Sequence, residues 1–180
     1  MQAEPCRRAN YDTVVRWKFG NGHFSYSRAG TGLDYRSRRM AATTTGNILI
    51  VEDDPDVRDM LSTLLSLEGF HAVAAEDGLE GLHLLRAVRH RSAHIPCLVL
   101  LDLKMPRLSG HEFRRAQLGD PSVADVPVVV MSGAVDLEQR AQAIGAVATV
   151  AKPIDVDSLL NVVRKFCVVV RRSQQPTDGR

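Results

Sequence analysis

Cys97 to Gly110 reads C-L-V-L-L-D-L-K-M-P-R-L-S-G, a leucine- and valine-rich run that ends on one carboxylate and passes into a loop marked by proline and glycine. Five consecutive apolar residues bounded by turn signals predict a strand buried on both faces of a sheet. An aspartate at its end, Asp102, then emerges at the sheet's carboxyl edge, where open α/β sheets hold their ligands. Taken alone, this carboxylate reads equally well as a cap on the following loop. The rest of the chain decides between the two readings.

From Asn47 onward, strand-like apolar runs alternate with segments of helical period, the pattern of crossover βα units around a parallel sheet. The first strand, Ile48 to Val51, runs into Glu52, Asp53 and Asp54, with Pro55 at a first helical position and Asp54 as N-cap. The helix that follows sets Val57, Leu61, Leu64 and Leu65 on one face and stops at Gly69. A strand around Phe70 to Ala75 leads through Asp77-Gly78 to a helix carrying Leu79, Leu82, Leu85 and Val88. Beyond the opening stretch come a short helix near Ser109 to Gln117, a strand from Val128 to Met131 ending in Ser132-Gly133, and a helix with Leu137, Ala141 and Ile144. The fifth strand, Val147 to Ala151, finishes at Lys152-Pro153. The last helix is predicted to carry Val156, Leu159, Leu160, Val163, Cys167 and Val170 on one stripe. The expected fold class is α/β, a doubly wound five-stranded parallel sheet with helices on both faces, over residues 46–172.

The 180 residues leave room for one domain of roughly 100 to 150 residues and a modest extension. No apolar run reaches the roughly 18 to 20 residues of a membrane span, and nothing near the N-terminus suits a secretory signal, so a cytoplasmic protein with no membrane partner is expected. The three cysteines, Cys6, Cys97 and Cys167, are far apart and in no C-x-x-C pattern. They indicate neither a disulfide framework nor a zinc site and suit a reducing compartment. A net charge of +2 conceals an asymmetry: residues 1–46 carry eight Arg/Lys against three Asp/Glu, and residues 47–180 carry fifteen against eighteen. The organised part is mildly acidic, so no nucleic acid is expected on it. Residues 1–45, basic and with scattered aromatics, sustain neither period for long and are expected to be a disordered extension. A nucleic-acid- or partner-gripping arm is the competing reading, and Met40 is an alternative start of the chain. Residues 173–180 are expected to be a disordered tail.

In a parallel sheet with right-handed crossovers all strand carboxyl ends line one edge. Four polar features fall there: the Glu52/Asp53 pair, Asp102, Ser132 and Lys152. Each has an ordinary reading as a cap, a turn or a surface residue, but their common position points to one site. Carboxylates about 4 Å apart repel by roughly 4 kcal/mol at an effective dielectric near 20, so a cation belongs among them. Lys152 supplies one charge, and an all-oxygen donor set suits Mg²⁺. An aspartate facing a hydroxyl and an ammonium forms a clamp for a phosphoryl group. Asp102 would be the nucleophile, forming an acyl phosphate, with Ser132 and Lys152 stabilising the phosphoryl oxygens.

The segments I-L-I-V-E-D-D-P-D-V-R, L-V-L-L-D-L-K-M-P-R-L-S-G, V-V-V-M-S-G-A and V-A-K-P resemble, in this order and spacing, the motifs of a response regulator receiver domain of two-component phosphorelays, of the stand-alone chemotaxis-regulator kind. The resemblance implies a flavodoxin-like sheet with strand order 2-1-3-4-5. It implies that Asp102 accepts phosphate from a phosphohistidine on a sensor histidine kinase or histidine phosphotransfer protein. It further implies Mg²⁺ held by Asp53, Asp102 and the backbone carbonyl of Lys104, with Glu52 reaching the ion through water. Ser132 and Lys152 match the family's hydroxyl switch and lysine, and Lys152-Pro153 its cis peptide. One departure stands out: receivers commonly carry Tyr or Phe three residues before the lysine, where this chain has Thr149.

Such a protein is a phosphoacceptor rather than an enzyme, with a downstream protein target that the sequence leaves unknown and a weak homodimer as a further expectation. Two rivals compete. A haloacid dehalogenase-like phosphatase would use Asp54-Pro55-Asp56 as nucleophile motif, with Asp155 and Asp157 as late acids. A phosphorylation-independent docking module would not need the intact set of acids, Ser132 and Lys152.

Overall fold

The structure, a computed structural model, describes residues 13–19, 22–28, 42–44, 46–90, 95–133, 135–167 and 169–171. The chain divides into two compact units, one of Met1–Ala42 with Arg171–Arg180, the other of Thr43–Val170. In the first, strands β1 (Thr13–Phe19) and β2 (Gly22–Arg28) form an antiparallel ladder with Phe19 opposite Gly22 and Thr13 opposite Arg28. A hairpin thus stands where the sequence analysis expects no ordered element. The signal in the sequence is the Gly20-Asn21 pair between two alternating runs.

After the short strand β3 (Ala42–Thr44) the second unit follows the expected alternation. It comprises β4 (Asn47–Val51), α1 (Pro55–Leu67), β5 (His71–Ala75), α2 (Gly78–His90), β6 (Pro96–Asp102), α3 (Gly110–Leu118), β7 (Val128–Ser132), α4 (Leu137–Ala143), β8 (Ala148–Ala151) and α5 (Val156–Phe166). The five strands from β4 to β8 form one sheet in the order β5-β4-β6-β7-β8, every neighbouring pair parallel. Numbered among themselves, they run 2-1-3-4-5. A last strand, β9 (Val169–Arg171), pairs with β3 in a separate two-stranded sheet.

Central strands read as continuous apolar runs because both faces of the sheet are covered. Leu49, Val51, Val99 and Leu101 pack with Leu82, Leu85 and Phe113 of α2 and α3. The alternate residues Ile48, Ile50, Leu98 and Leu100 are equally buried, as are Leu61 and Leu64 of α1 and Leu159 and Val163 of α5. The Arg164 guanidinium meets the Glu68 carboxylate at 2.8 Å, which sets α5 beside the end of α1. Between α3 and the following corner, the buried Arg114 donates to the Ile144 and Gly145 carbonyls at 3.1 and 3.0 Å and to Gln117 at 2.8 Å. Gln117 in turn donates to the carbonyls of Val123 and Val126.

Three further expectations are corrected. The last helix stops at Phe166: Cys167 is already extended, with φ −119 and ψ 123, and Val170 belongs to β9 rather than to the helical stripe. The β-branched run Val168 to Val170 favours strand over helix, although it prolongs the apolar pattern. Leu79 is exposed, in the first turn of α2. Cys97 and Cys167, expected to be unbridged, form a disulfide with Cα atoms 5.5 Å apart across a sequence separation of 70. Spacing along the chain could not show this, because the start of β6 and the end of α5 meet only through the fold. Cys6, Met40, the basic segments beyond the hairpin and residues 173–180 lie outside the described residues, among which no helix is long and apolar enough to cross a membrane.

Candidate functional site

The register of the sheet assembles the polar edge. Val51 of β4 is paired with Leu101 of β6, so the next residues, Glu52 and Asp102, leave the sheet side by side. Asp102 pairs with Met131, placing Ser132 one step further along β7, and Ser132 pairs with Ala151, so that Lys152 follows directly. The Lys152 N–H donates to the Ser132 carbonyl at 3.0 Å, and the Lys152-Pro153 peptide is cis.

Glu52, Asp102 and Ser132 are buried, whereas Asp53 is exposed. Lys152 donates to both Glu52 oxygens, at 2.9 and 2.8 Å, and its ammonium lies 3.4 Å from Oδ1 of Asp102. Burial pushes the Glu52 carboxyl up to about 7 against the opposing pull of Lys152. Burial likewise raises Asp102, although Lys152 and the Leu103 N–H, which donates to Oδ1 at 2.8 Å, favour its ionised form. One carboxylate oxygen from each of Glu52, Asp53 and Asp102 lies within 4.8 Å of the others. Three hard oxygen donors so close together, two of them on buried carboxyls raised by desolvation, fit a divalent cation such as Mg²⁺. Lys104, in the loop after β6, is exposed.

The loops that carry these groups are braced by residues the sequence analysis did not single out. The Arg58 guanidinium, one turn into α1, donates to the carbonyls of Glu52 and Asp53 at 2.8 and 3.0 Å. Arg107, in the loop between β6 and α3, has φ 62 and ion pairs with Glu76 and with the buried Asp77. Such a conformation is costly for a residue with a Cβ and persists where surrounding contacts over-determine it. Asp77 also caps α2, its Oδ1 accepting the Glu80 N–H at 2.8 Å. Asp77-Gly78-Leu79-Glu80 carries the cap spacing that could have drawn attention to Asp77. Gly110 starts α3 against the strand end: a Cβ there would stand 2.3 Å from the Asp102 carbonyl oxygen. Ser109 and Glu112 close a capping box on the same helix.

Two of the acids needed by the phosphatase rival serve as helix caps. Asp54 caps α1, accepting from the Asp56 and Val57 N–H groups at 2.9 and 3.3 Å, and Asp155 caps α5 through the Ser158 N–H at 2.9 Å. Thr149 sits half-buried on β8 opposite Val130 of β7.

Residues 48–164 match the family model for the response regulator receiver domain. The chain is 32% identical over 120 residues to sporulation initiation phosphotransferase F of Bacillus subtilis (strain 168), covering 66% of this chain and 91% of that protein. It is 33% identical over 125 residues to regulatory protein AtoC of Escherichia coli (strain K12), covering 68% of this chain and 25% of that much longer protein. A solved receiver domain of a sensor histidine kinase from Pseudomonas aeruginosa PAO1, described with a magnesium ion coordinated in the active site cleft, superposes with a TM-score of 0.56. That likeness, at 22% identity over 67% of this chain and 96% of the other, speaks to the fold alone. The chain belongs to the response regulator receiver domain family of two-component signalling proteins.

Proposed function

We propose that this protein accepts a phosphoryl group on Asp102 from the phosphohistidine of a partner kinase or phosphotransfer protein, and that its output is a change in protein–protein contact. The observation that supports this reading is the placement of Asp102: a buried carboxylate ending the central strand, with the Lys152 ammonium 3.4 Å from Oδ1 and Ser132 on the neighbouring strand end. An Asp102 oxygen attacks phosphorus, the P–N bond to the donor imidazole breaks, and its electron pair stays on that nitrogen, which takes a proton. Lys152 moves from Glu52 toward the charge now carried beyond Asp102, and the Ser132 hydroxyl donates to a phosphoryl oxygen.

Glu52, Asp53, Asp102 and the Lys104 carbonyl are the groups that would hold Mg²⁺. When bound, the ion neutralises charge on the phosphoryl oxygens. Arg58 and Arg107 keep the two acid-bearing loops in register for this task. The reaction is tested with a small acyl-phosphate donor and Mg²⁺, followed by peptide mapping. One phosphoryl group on Asp102, lost in Asp102→Asn, is expected. Label on Asp54 would instead support the phosphatase reading, and no label under any donor would support a docking module.

A further inference from the structure

The sheet has a second chemically distinct edge. Cys97 is the second residue of β6, the strand that ends at Asp102, so the disulfide to Cys167 lies about 17 Å along the strand from the acidic cluster, at the rise of an extended chain. Three features bear on what this bond does. First, the two residues differ in access: Cys167 is 2% exposed, whereas Cys97 is partly exposed, which makes Cys97 the more open of the two to an incoming thiolate. Second, the open form has a partner ready, since the Cys97 sulfur lies 3.2 Å from the Asn47 carbonyl, which can accept its S–H. Third, the domain does not lean on the bond for its core. The sheet is buried on both faces from β4 to β7, unlike the small, thinly cored domains in which disulfides substitute for packing.

The bond also stands at a junction of the chain. Cys167 is where α5 ends and the path to β9 begins: its N–H still donates to the Val163 carbonyl at 2.9 Å while its own backbone is extended. On the incoming side, Gly46 connects β3 to β4 against the same pair, and a Cβ at Gly46 would stand 3.2 Å from the Cys167 Cβ and 3.4 Å from the Cys97 sulfur. The two chain paths that carry β3 and β9 therefore converge on the disulfide.

We propose that Cys97 and Cys167 are a reversible thiol–disulfide site, separate from the phosphoacceptor chemistry, whose state sets how firmly the β3–β9 ladder is held. The oxidant is a low-molecular-weight disulfide. The Cys97 thiolate attacks it, forming a mixed disulfide and releasing one thiol; the Cys167 thiolate then attacks the Cys97 sulfur and releases the second. The protein gives up two electrons and two protons, and the incoming disulfide is reduced to two thiols. Dithiol reductants run the same steps in reverse.

The full chain carrying Cys6→Ser, which removes mispairing with the third cysteine, is equilibrated in glutathione buffers of graded thiol to disulfide ratio. Alkylation and non-reducing peptide mapping then score the bond, and amide exchange is followed at residues 42–44 and 169–171. The linked Cys97–Cys167 peptide should appear and disappear reversibly across the series. Ladder amides should lose protection on reduction and in Cys97→Ser, the more accessible position, while the β4–β8 sheet keeps its protection. Cys167→Ser serves as the second variant. Free thiols at both positions in every buffer, a bond that stays closed in the folded protein under excess dithiol, or identical ladder exchange in the two states would each overturn the proposal.

Discussion

The Lys152 ammonium is committed to Glu52, not to Asp102: it lies 2.9 and 2.8 Å from the two Glu52 oxygens and 3.4 Å from the nearer Asp102 oxygen. On the proposed function, a buried carboxylate other than the acceptor thus competes with Asp102 for this cation. Glu52 holds Lys152 in the structure, and on the proposed function its charge sets how readily the lysine leaves.

That charge is pH-dependent. Between the ordinary value of 4.5 and about 7, folded Glu52 holds a proton that the unfolded chain has lost, so its contribution to stability declines as pH rises across this window. The difference is on the order of 3 kcal/mol for a shift of this size. Denaturant unfolding in a chelator from pH 5 to 8 should show stability falling with pH in the wild type and a flatter profile in Glu52→Gln. A slope that survives unchanged in the variant would assign it to other groups.

Divalent cation should reverse this loss. Ligation requires the ionised carboxylates, so Mg²⁺ should raise the thermal midpoint more at pH 8 than at pH 5. Asp53→Asn, which removes an exposed donor at little cost to the core, should abolish most of that rise while leaving the midpoint in chelator near the wild-type value. An undiminished Mg²⁺ response in Asp53→Asn would remove this residue from the donor set.

The Asp77 carboxylate serves two elements, the first turn of α2 and the loop after β6. Asp77→Ala removes both connections and should cost at least the roughly 1 kcal/mol of a lost helix cap. Asp77→Asn retains the cap and weakens only the Arg107 ion pair. Equilibrium unfolding should rank Asn between wild type and Ala; equal losses would mean that the ion pair, not the cap, is what Asp77 supplies.

On the proposed function, Thr149 bears on output. It is small and β-branched, and it cannot couple the burial of a ring to a movement of Ser132. With a phosphoryl mimic and Mg²⁺, amide exchange should change mainly in residues 133–136 and the first turn of α4. Strong changes across β8 and α5 would contradict this.

The fold was legible because its strands are uninterrupted apolar runs and its helices carry explicit starts, such as Asp54-Pro55 and Ser109-Gly110. The grouping of Glu52, Asp53, Asp102, Ser132 and Lys152 at one edge follows from parallel topology alone, since every strand end must lie there. Contacts between distant segments left no such trace. Nothing in the spacing of Cys97 and Cys167, or of Arg107 and Asp77, announces that they meet. The hairpin was obscured by Arg, Lys and Ser within its strands, and the polar Arg114 and Gln117 gave no sign that α3 buries them.

Arg114 gives α4 a mechanical asymmetry. Its guanidinium fastens the carbonyls that close that helix, whereas Asp136, at the opening end, makes no side-chain cap and pairs instead with Arg140 at 2.7 Å. On the proposed output, the helix would act as a short lever with its pivot at Ile144–Gly145. A push from the Ser132 end would then swing the opening turn through the longer arc and leave the corner in place. The surface that such a stroke redraws is narrow, and it adjoins Val135, whose side chain stands fully in solvent.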